Sequence, residues 1–176
     1  MNETHNVIRA WENFYVITGS SSAALTGLVF VVSTIAAGRR RQPATTSATS
    51  VFSTPTIMHF CLAFLISGIF AAPWPSLGLA STSIGLTGLF GIGYIADVIR
   101  RTPMLEGYDP DVGDWTWFIV LPMAAYIALC VSGFMLVHVP VPSSFAIGGL
   151  TLVLIFLGIH NAWDVVSYLS INPPEE

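Results

Sequence analysis

From Gln42 to Ala96 the chain carries no formally charged side chain, and a second uncharged run extends from Phe14 to Gly38. Crossing about 30 Å of hydrocarbon takes roughly 20 helical residues at 1.5 Å rise, so each run is membrane-sized and the longer holds two crossings. Pro73-Trp74-Pro75 divides that longer run near its middle. Continued along the chain, the pattern predicts five transmembrane helices over about 14–38, 53–72, 76–99, 115–139 and 143–169, forming one helical membrane domain over 1–176. Pro55 is expected in the first turn of the second span with Ser53 as its cap, and Pro140-Val141-Pro142 as the turn between the last two spans. The span 76–99 is rich in Gly, Ser and Thr, and a re-entrant segment is the competing reading there.

Charge orients the bundle. Only 9% of residues are charged, against about 25% in a soluble domain, and the six basic residues are all Arg. Arg39, Arg40 and Arg41 follow the first span and Arg100 and Arg101 the third. The positive-inside rule then puts both clusters in the cytoplasm, the N-terminus outside and the C-terminus inside. Trp11, Tyr15 and Trp74 fall at the outer interface, and Trp115, Trp117, Trp163 and Tyr168 at the inner one, where amphipathic rings belong. Positive charge follows the first span rather than preceding it, unlike a cleavable signal peptide. Six Arg, too few and too clustered, in a chain of net charge -4 do not build a nucleic-acid groove. The setting expected is a bacterial inner membrane.

In lipid, helices associate through close backbone approach at small residues and a few interhelical hydrogen bonds. Gly19, Ala23 and Gly27 recur every four residues in the first span, beside a hydroxyl stripe of Thr18, Ser22, Thr26 and Ser33. Gly78, Ser81, Gly85 and Gly88 share a face of the third. The hydroxyl stripe reads either as a pore lining or as side chains bonded to their own helix, and the second is the commoner use. Pro122 is expected to kink the fourth span.

Titratable groups at membrane depth need a physical reason. His59, Asp97, His160 and Asp164 all fall in the inner half, His160 and Asp164 one turn apart. Three readings follow. In the first the groups are structural, Asp97 pairing with Arg100 or Arg101, Asp164 orienting His160 and His59 donating to a carbonyl across the bundle. In the second they form a proton or cation path. In the third His59 and His160 ligate a haem from two helices. The acidic turn 102–114 lacks the Gly and Glu that an EF-hand needs at its sixth and twelfth places. Cys61 and Cys130 lie inside apolar runs, and the chain has no phosphate loop, HExxH or nucleophile elbow, so a metal centre or hydrolase is not expected.

The segment Trp11-Glu12-Asn13-Phe14-Tyr15-Val16, then Gly19, then Ala23-Ala24-Leu25-Thr26-Gly27-Leu28-Val29-Phe30-Val31, resembles the first helix of a family of small uncharacterised bacterial polytopic membrane proteins. That helix reads W-x-x-F-Y-V, then G-x-x-A-A-L-T-G-L-x-F-V. The resemblance covers about 25 residues and implies a polytopic helical protein; some members carry a label as modulators of a membrane-bound AAA protease. It implies no site residue. The expectation is a non-catalytic accessory, regulatory or scaffold subunit acting through helix contacts, as a homo-oligomer or within a larger membrane complex, with no cofactor. An oligomeric channel or proton-coupled carrier, or a haem-binding electron-transfer protein, are the alternatives.

Overall fold

The computed structural model describes residues 8–39, 46–101 and 112–171, and all secondary structure among them is helical. Helix α1 spans Glu12–Arg39, α2 Thr46–Ala71, α3 Leu77–Arg101, α4 Val112–Trp115, α5 Leu121–Met135 and α6 Pro140–Ile171. A π-helical turn, Thr116–Val120, joins α4 to α5. Four helical segments are long and apolar enough to cross a membrane: Glu12–Thr34, Leu77–Arg101, Thr116–Met135 and Pro140–Asp164. The apolar part of α2, Pro55–Ala71, is shorter, about 25 Å at 1.5 Å per residue.

Three boundaries differ from expectation, each for a backbone reason. Helix α2 begins at Thr46, so Pro55 lies inside it rather than in its first turn, and Ser53 is not a cap. Pro140-Val141-Pro142 is not a turn but the start of α6; the chain reverses just before it, where Leu136 N–H donates to the Gly133 carbonyl and His138 N–H to that of Met135. Proline at a helix start has no N–H to waste and its backbone angle is already helical. Ahead of Pro122 the helix widens: Leu121 N–H donates to Thr116 O, five residues back. The extra residue in that turn eases the clash that a proline ring makes with the preceding carbonyls. By contrast α3 is one uninterrupted helix, which removes the geometric basis of the re-entrant reading. The Pro73-Trp74-Pro75 break stands between α2 and α3, and Trp74 Nε1 donates to the Ile69 carbonyl at 2.5 Å, holding the turn on the end of α2.

Around the bundle the most extensive packing is α3 on α5 and α1 on α2, then α2 on α6 and α5 on α6. Tyr15 stacks on Phe70 with ring centres 4.2 Å apart, while further along α1 a Cβ on Gly19 would stand 3.0 Å from Ser67 Cβ. Helices α1 and α2 are therefore antiparallel. Glycine sets the α3–α5 spacing. A Cβ on Gly85 would meet the Phe134 ring at 2.7 Å, one on Gly88 would fall on the backbone of Cys130, and one on Gly133 would lie 2.5 Å from Gly85 N. Ser81 Oγ crosses the same seam to donate to the Gly133 carbonyl at 2.7 Å. The core filled by these contacts includes Ile66, Ile84, Leu129, Ile147 and Leu154.

Candidate functional site

The four titratable candidates form separate pairs. Arg101 Nε lies 2.8 Å from Asp97 Oδ2, one helical turn away, with both side chains more than half or about half exposed. His160 Nε2 lies 3.1 Å from Asp164 Oδ2, and the imidazole stacks on Trp117 with centres 3.7 Å apart. His59 is wholly buried and its Nδ1 is 2.7 Å from Tyr126 Oη on α5. His59 and His160 thus face different partners, not each other, and the ring nitrogen of His160 that would meet an iron is already turned to Asp164. Among the described residues no three His, Cys, Asp or Glu side chains gather as a metal would require. Glu106, Asp109 and Asp111 of the acidic turn, and Arg40 and Arg41, lie outside the described residues.

Helix α1 carries most of the sequence motif, and its two halves do different things. The Trp11 ring covers Gly148 of α6, where a Cβ would stand 2.6 Å away, and meets Phe145 edge-on at 4.9 Å. Tyr15 is buried against Phe70, and Thr18 Oγ1 is 3.0 Å from Ser67 Oγ. Trp11, Tyr15, Thr18 and Gly19 therefore dock the N-terminal half of α1 onto α2 and α6. Beyond Gly19 only Ser22 of the small residues up to Gly27 is buried; Ser20, Ala23, Ala24 and Gly27 are exposed, and nothing stands within 4 Å of a Cβ on Gly27. At 100° per residue, Ser20, Ala24 and Gly27 lie within about 60° of one another, a single stripe.

The hydroxyls beside that stripe close on their own helix. Ser22 Oγ donates to Thr18 O at 2.7 Å and Thr26 Oγ1 to Ser22 O at 2.8 Å, and Thr18 Oγ1 also reaches Phe14 O at 3.1 Å. Such a bond consumes the only donor of each hydroxyl.

On α3, Gly85 and Gly88 lie in the α5 seam, whereas Gly78 is exposed with only Ser76 Oγ at 3.9 Å. Four seam glycines escaped the sequence reading. Gly91 carries the Tyr126 ring against its backbone, Gly133 faces Gly85, Gly148 carries the Trp11 ring and Gly158 the Phe60 ring. Asn161 was missed too, although it is wholly buried with neither carboxamide atom hydrogen-bonded within the protein. Their signal lies in the facing helix, which a single helix face does not display.

No family model, curated protein or solved structure matches the chain.

Proposed function

We propose that this protein is a non-catalytic five-span membrane protein that acts as an accessory, regulatory or scaffold subunit, using the free small-residue face of α1 to meet another transmembrane helix. The exposed stripe of Ser20, Ala24 and Gly27 carries the reading, because small residues are where helices approach closely in lipid and no helix among the described residues covers these three. The matching feature on α3 is consumed internally by α5. Docking of α1 through Trp11 and Tyr15 leaves the face with Ser20, Ala24 and Gly27 turned outward. The partner is a second copy of the chain or another integral membrane protein of a bacterial inner membrane, the setting that the resemblance of α1 also implies.

Five crossings are supported by the way α2 lies antiparallel along α1 and is enclosed between α1 and α6, although its apolar part alone is short. A helix packed lengthwise on a transmembrane neighbour shares its depth. Arg100 and Arg101 end α3, and the positive-inside rule places that end in the cytoplasm, the N-terminus outside and the C-terminus inside. A conducting pore lined by the α1 hydroxyls has less support, since Thr18, Ser22 and Thr26 are bonded to their own carbonyls.

Extraction in mild detergent followed by native mass measurement tests the reading. The wild type is expected as an oligomer or with a co-purifying membrane protein, and Ala24→Leu with Gly27→Leu is expected to release a monomer of unchanged thermal stability. A strictly monomeric wild type without a partner would overturn it.

A further inference from the structure

We infer that His59, Tyr126 and Asn161 form a hydration site inside the bundle, in which a water molecule bridges the free nitrogen of the His59 ring to the Asn161 carboxamide and ties α2, α5 and α6 together. His59 and Asn161 are both fully buried, and His59 Nε2, Asn161 Nδ2 and Asn161 Oδ1 have no hydrogen-bond partner in the protein. Tyr126 Oη holds the other ring nitrogen at 2.7 Å, so the ring is fixed in orientation and Nε2 alone is left to bond. A neutral imidazole presents one donor and one acceptor nitrogen, and a carboxamide presents both kinds of atom. Either tautomer therefore leaves a mixed donor and acceptor need in the layer.

The helices bring these groups to one depth. The Phe60 ring lies on Gly158, where a Cβ would stand 2.5 Å from it, so α2 and α6 are in register at that point. His59 is the neighbour of Phe60, and Asn161 is one turn beyond Gly158. Thr56 and Phe60 of α2 and Ile159 and Ala162 of α6 line one cavity, so the two helices stay adjacent through this turn. Helical side chains tilt toward the N-terminus of their own helix. On antiparallel helices that tilt carries His59 toward the level of Asn161 and Asn161 toward the level of His59.

The chemistry selects the ligand. An unsatisfied polar group at membrane depth is costly, and a buried water makes two to four bonds to such groups. Among the described residues no carboxylate serves the layer to favour a cation, because Asp97 is paired with Arg101 and Asp164 with His160. Water is the small neutral molecule that donates and accepts at once. The inference is independent of what α1 meets.

Isotope-labelled protein in liposomes, studied by solid-state NMR with polarisation started on water, tests it. Transfer to the His59 ring and the Asn161 side-chain amide is expected while the backbone amides of Ile66 and Leu154, buried in the same bundle, stay dark. Asn161→Leu is expected to abolish the transfer to His59 yet keep the Nδ1 shift that reports the Tyr126 bond. A His59 ring and Asn161 amide both silent to water, or a direct coupling between Nε2 and the carboxamide, would overturn the proposal. So would undiminished transfer to His59 in the variant. If the variant does not fold, the wild-type spectra alone decide.

Discussion

Gly88→Ala probes the α3–α5 seam with the smallest possible addition. The new Cβ would stand 2.6 Å from Cys130 Cα and closer still to Cys130 N, against an ordinary contact beginning at 3.4 Å. Those atoms are backbone and cannot rotate aside, so the helices have to part by about 1 Å. Overpacking of this kind costs about 1–3 kcal/mol. Parting also stretches the Ser81 bond to Gly133 O, and interhelical bonds in membrane proteins average about 0.6 kcal/mol. Exchanging a helical glycine for alanine returns roughly 1 kcal/mol of intrinsic propensity. The net loss expected is about 1–2 kcal/mol. Gly27→Ala makes the same chemical change where nothing lies within 4 Å, so its propensity gain is unopposed and it is expected to be neutral or stabilising by up to about 1 kcal/mol. Denaturing-detergent titration in mixed micelles, followed by tryptophan fluorescence, measures both. A Gly88→Ala protein as stable as the wild type would refute the claim that backbone contact sets this interface.

Three other outcomes are expected. Tyr126→Phe removes the partner of His59 Nδ1 and should lower stability by about 0.6–1.7 kcal/mol in the same titration, because a buried imidazole loses its bond. Asp97→Asn should change stability by less than about 1 kcal/mol, since its pair with Arg101 is largely exposed and one turn apart on a single helix. Asp164→Asn weakens the hold on His160, and the emission of Trp117, against which that imidazole stacks, should shift while the melting temperature changes little.

The helical segments and their principal breaks were readable because they depend on one-dimensional properties. The uncharged runs end at Arg39 and Asp97, and the Pro73-Trp74-Pro75 turn has no helical alternative. Pro140 misled because proline signals both a break and a beginning, and only the chain reversal at Leu136 distinguishes them. The π turn before Pro122 leaves no composition signal, since it is a change of hydrogen-bond partner by one residue.

For the candidate site, helix periodicity gave depth and face but not the neighbour across the gap. Asp97 with Arg101 and His160 with Asp164 lie on single helices and were visible as spacings of four. The bond from Tyr126 to His59 joins residues 67 apart, and Tyr126 alone offered no pattern. Likewise the small residues of α1 and α3 look equivalent in sequence, yet Gly88 is covered by Cys130 and Gly27 by nothing among the described residues. Such differences belong to which helix becomes whose neighbour, a property of the assembled bundle.

The account depends most directly on how many times the chain crosses the bilayer. Single cysteines introduced before Ile8 and after Ile171, in a background with Cys61 and Cys130 replaced by alanine, can be labelled in intact cells with a membrane-impermeant maleimide. Labelling of the N-terminal position alone, with the C-terminal one reached only after permeabilisation, is the result expected. Labelling of both ends in intact cells, or of neither, would place the termini in one compartment and contradict five crossings.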